Sequence, residues 1–169
     1  MHEISFRHDV LPLKDKLYRL ALRITLNTAE AEDIVQDTMI KVWNLRNKWH
    51  EIESMEAFCL TVARNLAIDR SQKSEAQNEE LDIETHQTAD NVTPEGVAER
   101  NEQMEIIHRI ISRLPEKHRT VVQLRDIEGM SYKEVAEAMQ TTEEQVKSTL
   151  FRARQRIKKE YNEIDKYGL

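Results

Sequence analysis

The sequence predicts an all-α protein made of two small helical domains joined by a flexible acidic linker. Turn-forming residues are scarce, since the 169 residues include only three Gly and three Pro, and 5% are aromatic. An all-β chain needs many turns and many aromatic or β-branched residues. Residues that favour helices, such as Glu, Lys, Arg, Gln, Ala and Leu, are abundant instead. Apolar residues also recur at helical intervals on both sides of an acidic middle segment.

The first predicted domain covers residues 1–71 and contains three to four helices. Its apolar residues recur near i, i+3, i+4 and i+7, which is the spacing of one helix face. The stripes are Leu13, Leu17, Leu20, Ala21 and Ile24; Ile34, Val35, Thr38, Met39 and Val42; and Met55, Phe58, Cys59, Val62, Ala63 and Leu66. Asn27, with Glu30 three residues later, indicates where the second helix begins. Three amphipathic helices are enough to form a small bundle.

The charge is distributed unevenly, and the middle of the chain carries most of the acidity. Residues 1–70 have 10 basic and 11 acidic side chains, residues 71–105 have 2 and 10, and residues 106–169 have 13 and 10. The resulting net charges of −1, −8 and +3 add to the total of −6. The middle segment has few large apolar residues, so it cannot bury enough surface to offset the entropy of ordering. Residues 72–93 are therefore predicted to form a flexible linker.

The second predicted domain covers residues 94–169 and contains four helices. Thr93 followed by Pro94 fits an N-cap with proline at the first helical position. Pro115 and Gly129 indicate two later helix ends. The apolar stripes between these signals are Ile107, Ile110, Ile111 and Leu114; Val121, Val122 and Leu124; Tyr132, Val135, Ala136 and Met139; and Val146, Leu150, Ala153, Ile157 and Tyr161. Each stripe is expected to face the core of this domain.

The last two helices have the sequence form of a helix-turn-helix motif. Three residue pairs have capping-box spacing: Ser131 with Glu134, Thr141 with Glu144, and Thr142 with Gln145. The first pair starts one helix, and the other two give alternative starts, one residue apart, for the next helix. The turn between them is only about three residues long, Gln140 to Thr142. In this motif the second helix enters the DNA major groove through its N-terminal residues.

That second helix carries a basic surface. From Gln145 to Lys159 it has six Lys or Arg residues and no Asp or Glu. The candidate DNA-binding residues on or beside its outer face are Glu143, Glu144, Lys147, Ser148, Thr149, Phe151, Arg152 and Arg154. The cations would neutralise phosphates, and acids at a helix N-terminus suit its dipole and can accept from cytosine. The alternative is a solvated basic helix of an ordinary bundle, but the capping boxes and short turn favour DNA binding.

Three segments of the chain resemble parts of one known protein family. The segment LPEKHRTVVQLRDIEGMSYKEVAEAMQTTEEQVKSTLFRARQRIKK resembles region 4 of bacterial sigma factors. The segments AEAEDIVQDTMIKVWN and AFCLTVARNLAIDRSQK resemble their regions 2.1–2.2 and 2.3–2.4. Two such domains without a region 3, joined by a short acidic linker, are typical of the extracytoplasmic-function (ECF) class. The resemblance implies a protein that docks on core RNA polymerase, recognises promoter DNA and promotes transcription initiation.

The resemblance places the contact with core RNA polymerase on the second helix. It assigns this contact to Asp33, Gln36, Asp37, Met39 and Trp43. The acids have an alternative explanation, which is a favourable interaction with the dipole at the helix N-terminus. That explanation suits Glu30 and Glu32 better than Gln36 or Asp37, which lie deeper in the helix.

The resemblance assigns the downstream promoter element and strand opening to the third helix and the loop before it. The residues are Trp49, His50, Arg64, Asn65, Asp69, Arg70 and Lys73. In the family this loop captures an unstacked base of the non-template strand, and stacking on an aromatic ring contributes ~1–3 kcal/mol per base. Trp49 also has an alternative as a core residue, and both interpretations stay open. Phe58 and Cys59 are expected in the core, Cys59 as an inert thiol.

The chain departs from the family pattern at the helix-turn-helix. The family often has Gly in the turn and Gly-Thr early in the recognition helix, whereas Gln140 and Glu144-Gln145 occur here. The motif survives without Gly if the turn avoids positive φ. The change also leaves the base preference of the recognition helix open.

Two other functions compete with this interpretation. A stand-alone helix-turn-helix regulator would bind duplex DNA without polymerase, and it would not need the acids and Gln of the second helix. A nucleotide phosphohydrolase needs several converging carboxylates to hold Mg²⁺, and the third helix offers only Asp69. The sequence therefore favours a protein that is not an enzyme and that needs no metal or cofactor. The expected partners are core RNA polymerase, duplex promoter DNA, the unpaired non-template strand and an anti-sigma factor.

The sequence also predicts a soluble, cytoplasmic protein that does not insert into membranes. A single cysteine, Cys59, excludes an internal disulfide and fits a reducing compartment. The N-terminus lacks the apolar segment of a signal peptide. No apolar run approaches the ~18 residues needed to span a bilayer.

Overall fold

The computed structural model of the chain describes residues 3–77 and 98–166, and every regular element in these ranges is helical. The prediction of an all-α fold is therefore confirmed. Most of the predicted linker and the Thr93–Pro94 start signal lie outside the described residues. Among the described helices, none combines the length and the apolar character needed to cross a membrane.

The N-terminal domain is a bundle of three helices with short helical turns before and between them. A π-helical turn (Phe6–Val10) and a 3₁₀ turn (Leu11–Leu13) precede α1 (Lys14–Thr25), α2 (Thr28–Asn44), a 3₁₀ turn (Arg46–Glu51) and α3 (Met55–Gln77). Asn27 caps α2 as predicted, because its side-chain oxygen accepts a hydrogen bond from the Glu30 N–H at 2.9 Å. α3 continues to Gln77, so residues 72–77, which were predicted to belong to the linker, are part of this helix.

The predicted apolar stripes form the core of this bundle. Leu17, Leu20, Ile24, Ile34 and Leu60 are fully buried. Leu13, Met39, Phe58 and Leu66 are partly buried and pack against them. Each large apolar side chain that is fully buried contributes about 1.5–3 kcal/mol, so packing of these stripes holds the short helices together. Cys59 is also buried, and burial raises the pKa of its thiol to about 12, which agrees with an inert core residue.

The C-terminal domain contains the four predicted helices. They are α4 (Ala98–Arg113), α5 (Glu116–Val121), which continues as a π-helical turn (Val122–Ile127), α6 (Tyr132–Met139) and α7 (Glu143–Lys166). Pro115 lies between α4 and α5 as expected. Gly129 follows the π-helical turn with φ of +75°, a conformation that glycine adopts without steric cost. The fully buried Ile110, Leu124 and Leu150 belong to the core of this domain.

The two domains pack against each other, which the sequence did not predict. Helices α1 and α3 of the N-terminal domain contact α5, α6 and the π-helical turn of the C-terminal domain. Buried apolar residues of both domains form one continuous cluster. The packing also places side chains of α3 and α7 around one shared cleft.

Candidate nucleic-acid and polymerase interfaces

The helix-turn-helix begins with a capping box at α6. Ser131 Oγ accepts a hydrogen bond from the Glu134 N–H at 3.1 Å, and the Glu134 carboxylate accepts one from the Ser131 N–H at 2.8 Å. These bonds satisfy two backbone donors near the helix N-terminus. The bond from the Ser131 backbone is also the main reason that the pKa of Glu134 is lowered. The predicted capping box is confirmed.

The turn after α6 has a positive φ of 55° at Gln140, so the motif here does not avoid positive φ although it lacks Gly. The Gln140 N–H donates to Glu137 O at 3.2 Å, and the Thr141 N–H donates to Ala136 O at 3.0 Å. These two bonds form a Schellman ending, which requires a left-handed residue just after the helix. The bonds to the last carbonyls of α6 therefore offset the steric cost of a residue with a Cβ atom.

Helix α7 begins one residue later than the Thr141–Glu144 capping box predicts. Thr142 is the capping residue, because its Oγ1 accepts a hydrogen bond from the Gln145 N–H at 3.1 Å. The helix itself starts at Glu143. The Thr141–Glu144 box is therefore wrong, and the alternative one residue later is correct. The physical reason is that the Schellman ending uses the backbone of Thr141 in the turn, and its hydroxyl instead bonds to the Gln145 side chain.

The outer face of α7 presents the predicted DNA-binding side chains to solvent. Glu143, Glu144, Lys147, Ser148, Phe151, Arg152 and Arg154 are exposed, and Thr149 is half-buried. Phe151 has 63% of its surface exposed, although it is a large apolar residue. Such a side chain among basic residues can contact the methyl group of thymine. The face therefore combines phosphate-binding cations with a side chain suited to a base edge.

Neighbouring elements position several of these cations. Arg154 forms a bidentate salt bridge with Asp126 of the π-helical turn, at 2.5 and 3.1 Å. The Lys147 ammonium lies 5.2 Å from the centre of the Tyr132 ring, a cation–π arrangement. Burial and then the charges of Arg152 and Arg156 lower the pKa of His118 on α5. The positive charges of α7 therefore act together with burial to disfavour a charged imidazole at His118.

The acidic residues of α2 are held by one arginine of α3. Arg70 donates to Asp33 at 2.5 Å, to Glu30 at 3.3 Å and to Asp37. These bonds, with the one to Asp33 as the largest cause, raise the pKa of Arg70. The sequence assigned Arg70 to DNA and the two Asp residues to polymerase, but the structure brings them together. Gln36 lies on the same helix and is exposed.

Next to these acids, α2 exposes an apolar patch. Trp43 is 45% exposed, and its ring meets the edge of Phe6 at a centroid distance of 5.6 Å. The Arg46 guanidinium lies 4.4 Å from the Trp43 ring. Ile40 is 59% exposed and was missed by the sequence reasoning. Its position outside the buried stripe of α2 was the available signal, because exposed apolar patches mark interaction sites.

The predicted downstream-element residues of α3 divide into two groups. Asn65, Asp69 and Lys73 are exposed, and Lys73 forms an i, i+4 pair with Asp69 at 3.4 Å. Arg64 is only 12% exposed and forms a bidentate salt bridge with Glu116 of α5, at 3.1 and 3.2 Å. Arg70 is held by the acids of α2. Two of the predicted DNA-binding cations are therefore occupied by other parts of the chain.

The geometry around Trp49 favours its interpretation as a core residue. Its side chain is 7% exposed, and its indole N–H donates to Val42 O at 3.0 Å. Its ring also meets the edge of Trp43 at 6.2 Å. Stacking on an unpaired base needs an accessible ring face, which this position does not offer. His50, the next residue, is exposed.

Within residues 3–77 and 98–166, no group of three or more His, Cys, Asp or Glu side chains is arranged to hold a metal ion. Glu30, Asp33 and Asp37 lie near one another, but they surround a guanidinium.

Comparison with known families identifies both domains. Residues 10–76 match the family described as Sigma-70 region 2, and residues 104–157 match Sigma-70, region 4. Together with the helix-turn-helix, these matches define the class as sigma factors of RNA polymerase. The chain is 30% identical over 160 residues to the ECF RNA polymerase sigma factor SigW of Bacillus subtilis, across 89% of this chain and 86% of that protein. The chain belongs to the ECF sigma factor family, whose members bind RNA polymerase and direct transcription initiation at specific promoters.

Other relatives and solved structures agree with this assignment. The chain is 30% identical over 159 residues to the RNA polymerase sigma-H factor of Pseudomonas aeruginosa, across 89% of this chain and 82% of that protein. A solved complex of the sigma factor RpoE with the anti-sigma factor NepR from Bartonella quintana has a similar fold. Its TM-score is 0.77 at 22% identity, across 95% of this chain and 98% of that one. A complex of CnrH with the cytosolic domain of CnrY gives a TM-score of 0.68 at 19% identity, across 93% and 87%.

Proposed function

We propose that the two domains of this sigma factor bind different parts of the transcription machinery. The N-terminal domain, residues 1–71, binds core polymerase and the downstream promoter element. The C-terminal domain, residues 94–169, binds the upstream promoter element through α7. Residues 72–93, of which 72–77 continue α3, connect the domains and allow them to reach separate elements. The observation that carries this proposal is the exposed outer face of α7, where cations surround the exposed Phe151.

On α7, different residues have different tasks. Lys147, Ser148 and Phe151 lie in the N-terminal half of the helix, which is the part that reaches base edges in this motif. Arg152 and Arg154 lie beside them and bind phosphates, where each contact releases counterions. Glu143 and Glu144 stand in the first turn, where a carboxylate can accept a hydrogen bond from cytosine.

The polymerase contact is proposed for the outer face of α2. Asp33, Gln36 and Asp37 provide polar groups, and Met39 and Trp43 provide apolar area. We add Ile40, because its exposed side chain extends the apolar patch around Trp43. A patch with aromatic and aliphatic residues at its centre and charges at its rim is typical of protein interfaces.

The downstream element is proposed to contact the exposed residues of α3 and the preceding loop. These residues are His50, Asn65, Asp69 and Lys73. Arg64 and Arg70 can join them only after their present salt bridges open. Trp49 supports this surface indirectly, since its hydrogen bond to Val42 O positions the loop that carries His50.

The chain is proposed to act in the cytoplasm by binding alone, while the polymerase supplies the chemistry. An anti-sigma factor is the expected regulatory partner. The fold similarity to a sigma factor solved with NepR and to CnrH solved with CnrY supports this expectation.

Two measurements test the proposal. A pulldown with purified core RNA polymerase should retain the chain, whereas a stand-alone regulator would not be retained. A promoter-selection experiment with the reconstituted holoenzyme should then recover two conserved sequence elements. Recovery of only one conserved element would contradict the proposed division of tasks. Recovery of the same two elements by the chain without core polymerase would also contradict it.

A further inference from the structure

Two cations lie over the ring of Tyr132, the first residue of α6. The Arg125 guanidinium carbon is 4.4 Å from the ring centre, and the Lys147 ammonium nitrogen is 5.2 Å from it. Both distances lie within the roughly 6 Å over which the negative face of an aromatic ring attracts a cation. Arg125 belongs to the π-helical turn and Lys147 to α7, so one ring links three consecutive elements of the C-terminal domain.

The backbone that carries this ring is held in place. Tyr132 directly follows Ser131, whose capping box with Glu134 fixes the first turn of α6. The ring is half-buried and packs against the core. The sequence assigned Tyr132 only to the apolar stripe of α6, which accounts for this packing but not for the cations over the ring.

The Arg125 side chain is anchored as well. It donates to Met130 O at 2.7 Å, and the Met130 N–H donates to Leu124 O at 3.0 Å. These two bonds close the loop between the π-helical turn and α6. Arg125 therefore contacts the ring from a fixed position, and the ring is a firm support for its other partner.

Lys147 is the exposed member of this group, and it lies in the N-terminal half of α7, which reaches base edges in this motif. A lysine has a flexible four-carbon stem, and holding it in one direction costs rotamer entropy. Contact with the Tyr132 ring limits the directions of this stem before DNA binds. A lysine ammonium carries several N–H donors, so contact with the ring leaves donors available for a base.

The same π-helical turn holds a second cation of α7. Asp126, next to Arg125, forms the bidentate salt bridge with Arg154. Lys147 and Arg154 are separated by about two helical turns, which places them on one side of α7 and about 10 Å apart along its axis. The π-helical turn and α6 therefore support the recognition helix at two points of the same face.

We propose that Tyr132 is a positioning residue that sets the base preference of Lys147 in the upstream promoter element. Its ring directs the Lys147 ammonium and reduces the entropy that this side chain loses on binding. The proposal rests on the proposed function, because Lys147 must read a base for its direction to matter. It assigns part of the sequence specificity to a residue outside the recognition helix.

The position of Lys147 is tested first, by NMR of the full chain without DNA. An aromatic ring current shifts the signals of protons above the ring, so the ε-methylene protons of Lys147 should be shifted in the wild type. Tyr132→Phe keeps the ring and should keep the shift. Tyr132→Leu keeps an apolar side chain and should lose it, and Tyr132→Met replaces this variant if circular dichroism shows a loss of helix. Unshifted Lys147 protons in the wild type would overturn the positioning role.

Promoter binding is then measured with reconstituted holoenzyme and duplexes that carry each base in turn at the position where Lys147→Ala relaxes the preference. Tyr132→Leu should lower the affinity for the preferred duplex about three- to fivefold, as expected for one cation–π contact, and reduce the discrimination at that position. Tyr132→Phe should behave like the wild type. With Lys147→Ala already present, Tyr132→Leu should have no further effect. With Arg152→Ala the two losses should add, because the ring contacts Lys147 and Arg125 instead.

Three outcomes of the binding experiment count against the proposal. Equal losses from Tyr132→Leu with and without Lys147 would overturn it, because they indicate a general structural role. A loss with Tyr132→Phe as large as that with Tyr132→Leu would also overturn it, because the hydroxyl and not the ring would be responsible. If Lys147→Ala changes neither affinity nor preference while its protons are shifted in the wild type, the proposed function of α7 fails, and the ring has no preference to set.

Discussion

At the scale of single residues, the structure shows that proposed binding side chains already have partners within the chain. Arg70 is bound by Asp33 and Asp37, and Arg64 is bound by Glu116. Asp33 and Asp37 are 55% and 41% exposed, and exposed salt bridges contribute only ~0–1 kcal/mol, so polymerase can replace Arg70 at small cost. The Arg64–Glu116 pair is more buried, with Arg64 12% exposed, so DNA replaces Glu116 at a higher cost. The partners therefore arrange the side chains without committing them permanently.

The α2 surface gives the first prediction. Gln36→Ala combined with Asp37→Ala should weaken binding to core polymerase by about 1–2 kcal/mol, because hydrogen bonds to charged groups contribute on this order. Affinity is measured by fluorescence titration with purified core polymerase, and circular dichroism should show unchanged helix content. Glu32→Ala, an exposed acid in the first part of α2, is the control and should have a smaller effect. Equal core affinity in wild type and double variant would contradict the assignment.

The second prediction separates base reading from phosphate binding on α7. Lys147→Ala should cost ~1–3 kcal/mol and relax the preference at one promoter position if the side chain reads a base. Arg152→Ala should weaken binding to all sequences alike and lower the salt slope by about one, because it removes one phosphate contact. Salt titrations of holoenzyme binding to promoter duplexes measure both effects. Lys159→Ala, near the helix end, should behave like the phosphate contact. The recognition-helix assignment fails if neither Lys147 nor Arg152 matters.

His118 provides a probe of the same surface. Burial and the charges of Arg152 and Arg156 hold the pKa of His118 below its ordinary value of 6.5. Bound phosphates would neutralise these arginines, so the pKa of His118 should rise in the promoter complex, and affinity should increase as pH falls through that value. NMR titration of the imidazole measures the change, and Arg152→Ala should raise the pKa already in the free chain. A pKa that is the same with and without DNA would contradict this prediction.

At the scale of elements, the turn between α6 and α7 carries local strain that substitution can remove. Gln140 has a left-handed conformation, which costs a residue with a Cβ atom roughly 1 kcal/mol relative to glycine. Gln140→Gly should therefore raise the free energy of unfolding by up to about 1 kcal/mol, measured by urea denaturation. Gln140→Ala keeps the Cβ atom and should give no such gain. Destabilisation by Gln140→Gly would show that the side chain itself stabilises the turn.

The helices were predictable because their determinants are local. The stripe from Leu17 to Ile24 and the caps at Asn27 and Ser131 depend on residues within a few positions of one another. The conformation of Gln140 was not predictable, because it depends on where α6 ends and not on the residue type. The start of α7 also depends on where α6 ends. Two capping signals overlap at Thr141 and Thr142, and the geometry of the preceding turn determines which of them is used.

At the scale of the whole molecule, the candidate site was predictable only in part. The outer face of α7 followed from the position of its apolar stripe, and its exposure is confirmed. The pairing of Arg64 with Glu116 and the capping of α1 by Arg119 join residues far apart in the chain, and no local pattern indicates such contacts. The burial of Trp49 likewise depends on how its loop returns to α2.

The domain interface should respond to pH through His108. Arg23 is only a donor, so His108 Nδ1 accepts its hydrogen bond and the ring is neutral. Burial and Arg23 lower the pKa of His108, and the nearby Asp126, Arg154 and Lys158 line the groove beside its ring. The contribution of His108 to the packing of the two domains is therefore fully present above pH 6.5 and is lost as pH falls through its lowered pKa.

Scattering measurements between about pH 7.5 and about pH 5.5 should then show an increasing radius of gyration for the wild type. His108→Gln keeps an acceptor for Arg23 but cannot be protonated, so its radius should change much less over the same range. An identical acid response in both proteins would assign the effect to other groups.

Because Arg119 and the α1 carbonyls that it caps belong to the same polypeptide, dilution does not separate them. Their effective concentration is set by the chain that connects them and not by how much protein a cell makes. The ratio of packed to separated domains is then the same at every expression level. The packing of α1 against α5 is therefore a property of each molecule and does not change with the concentration of the protein.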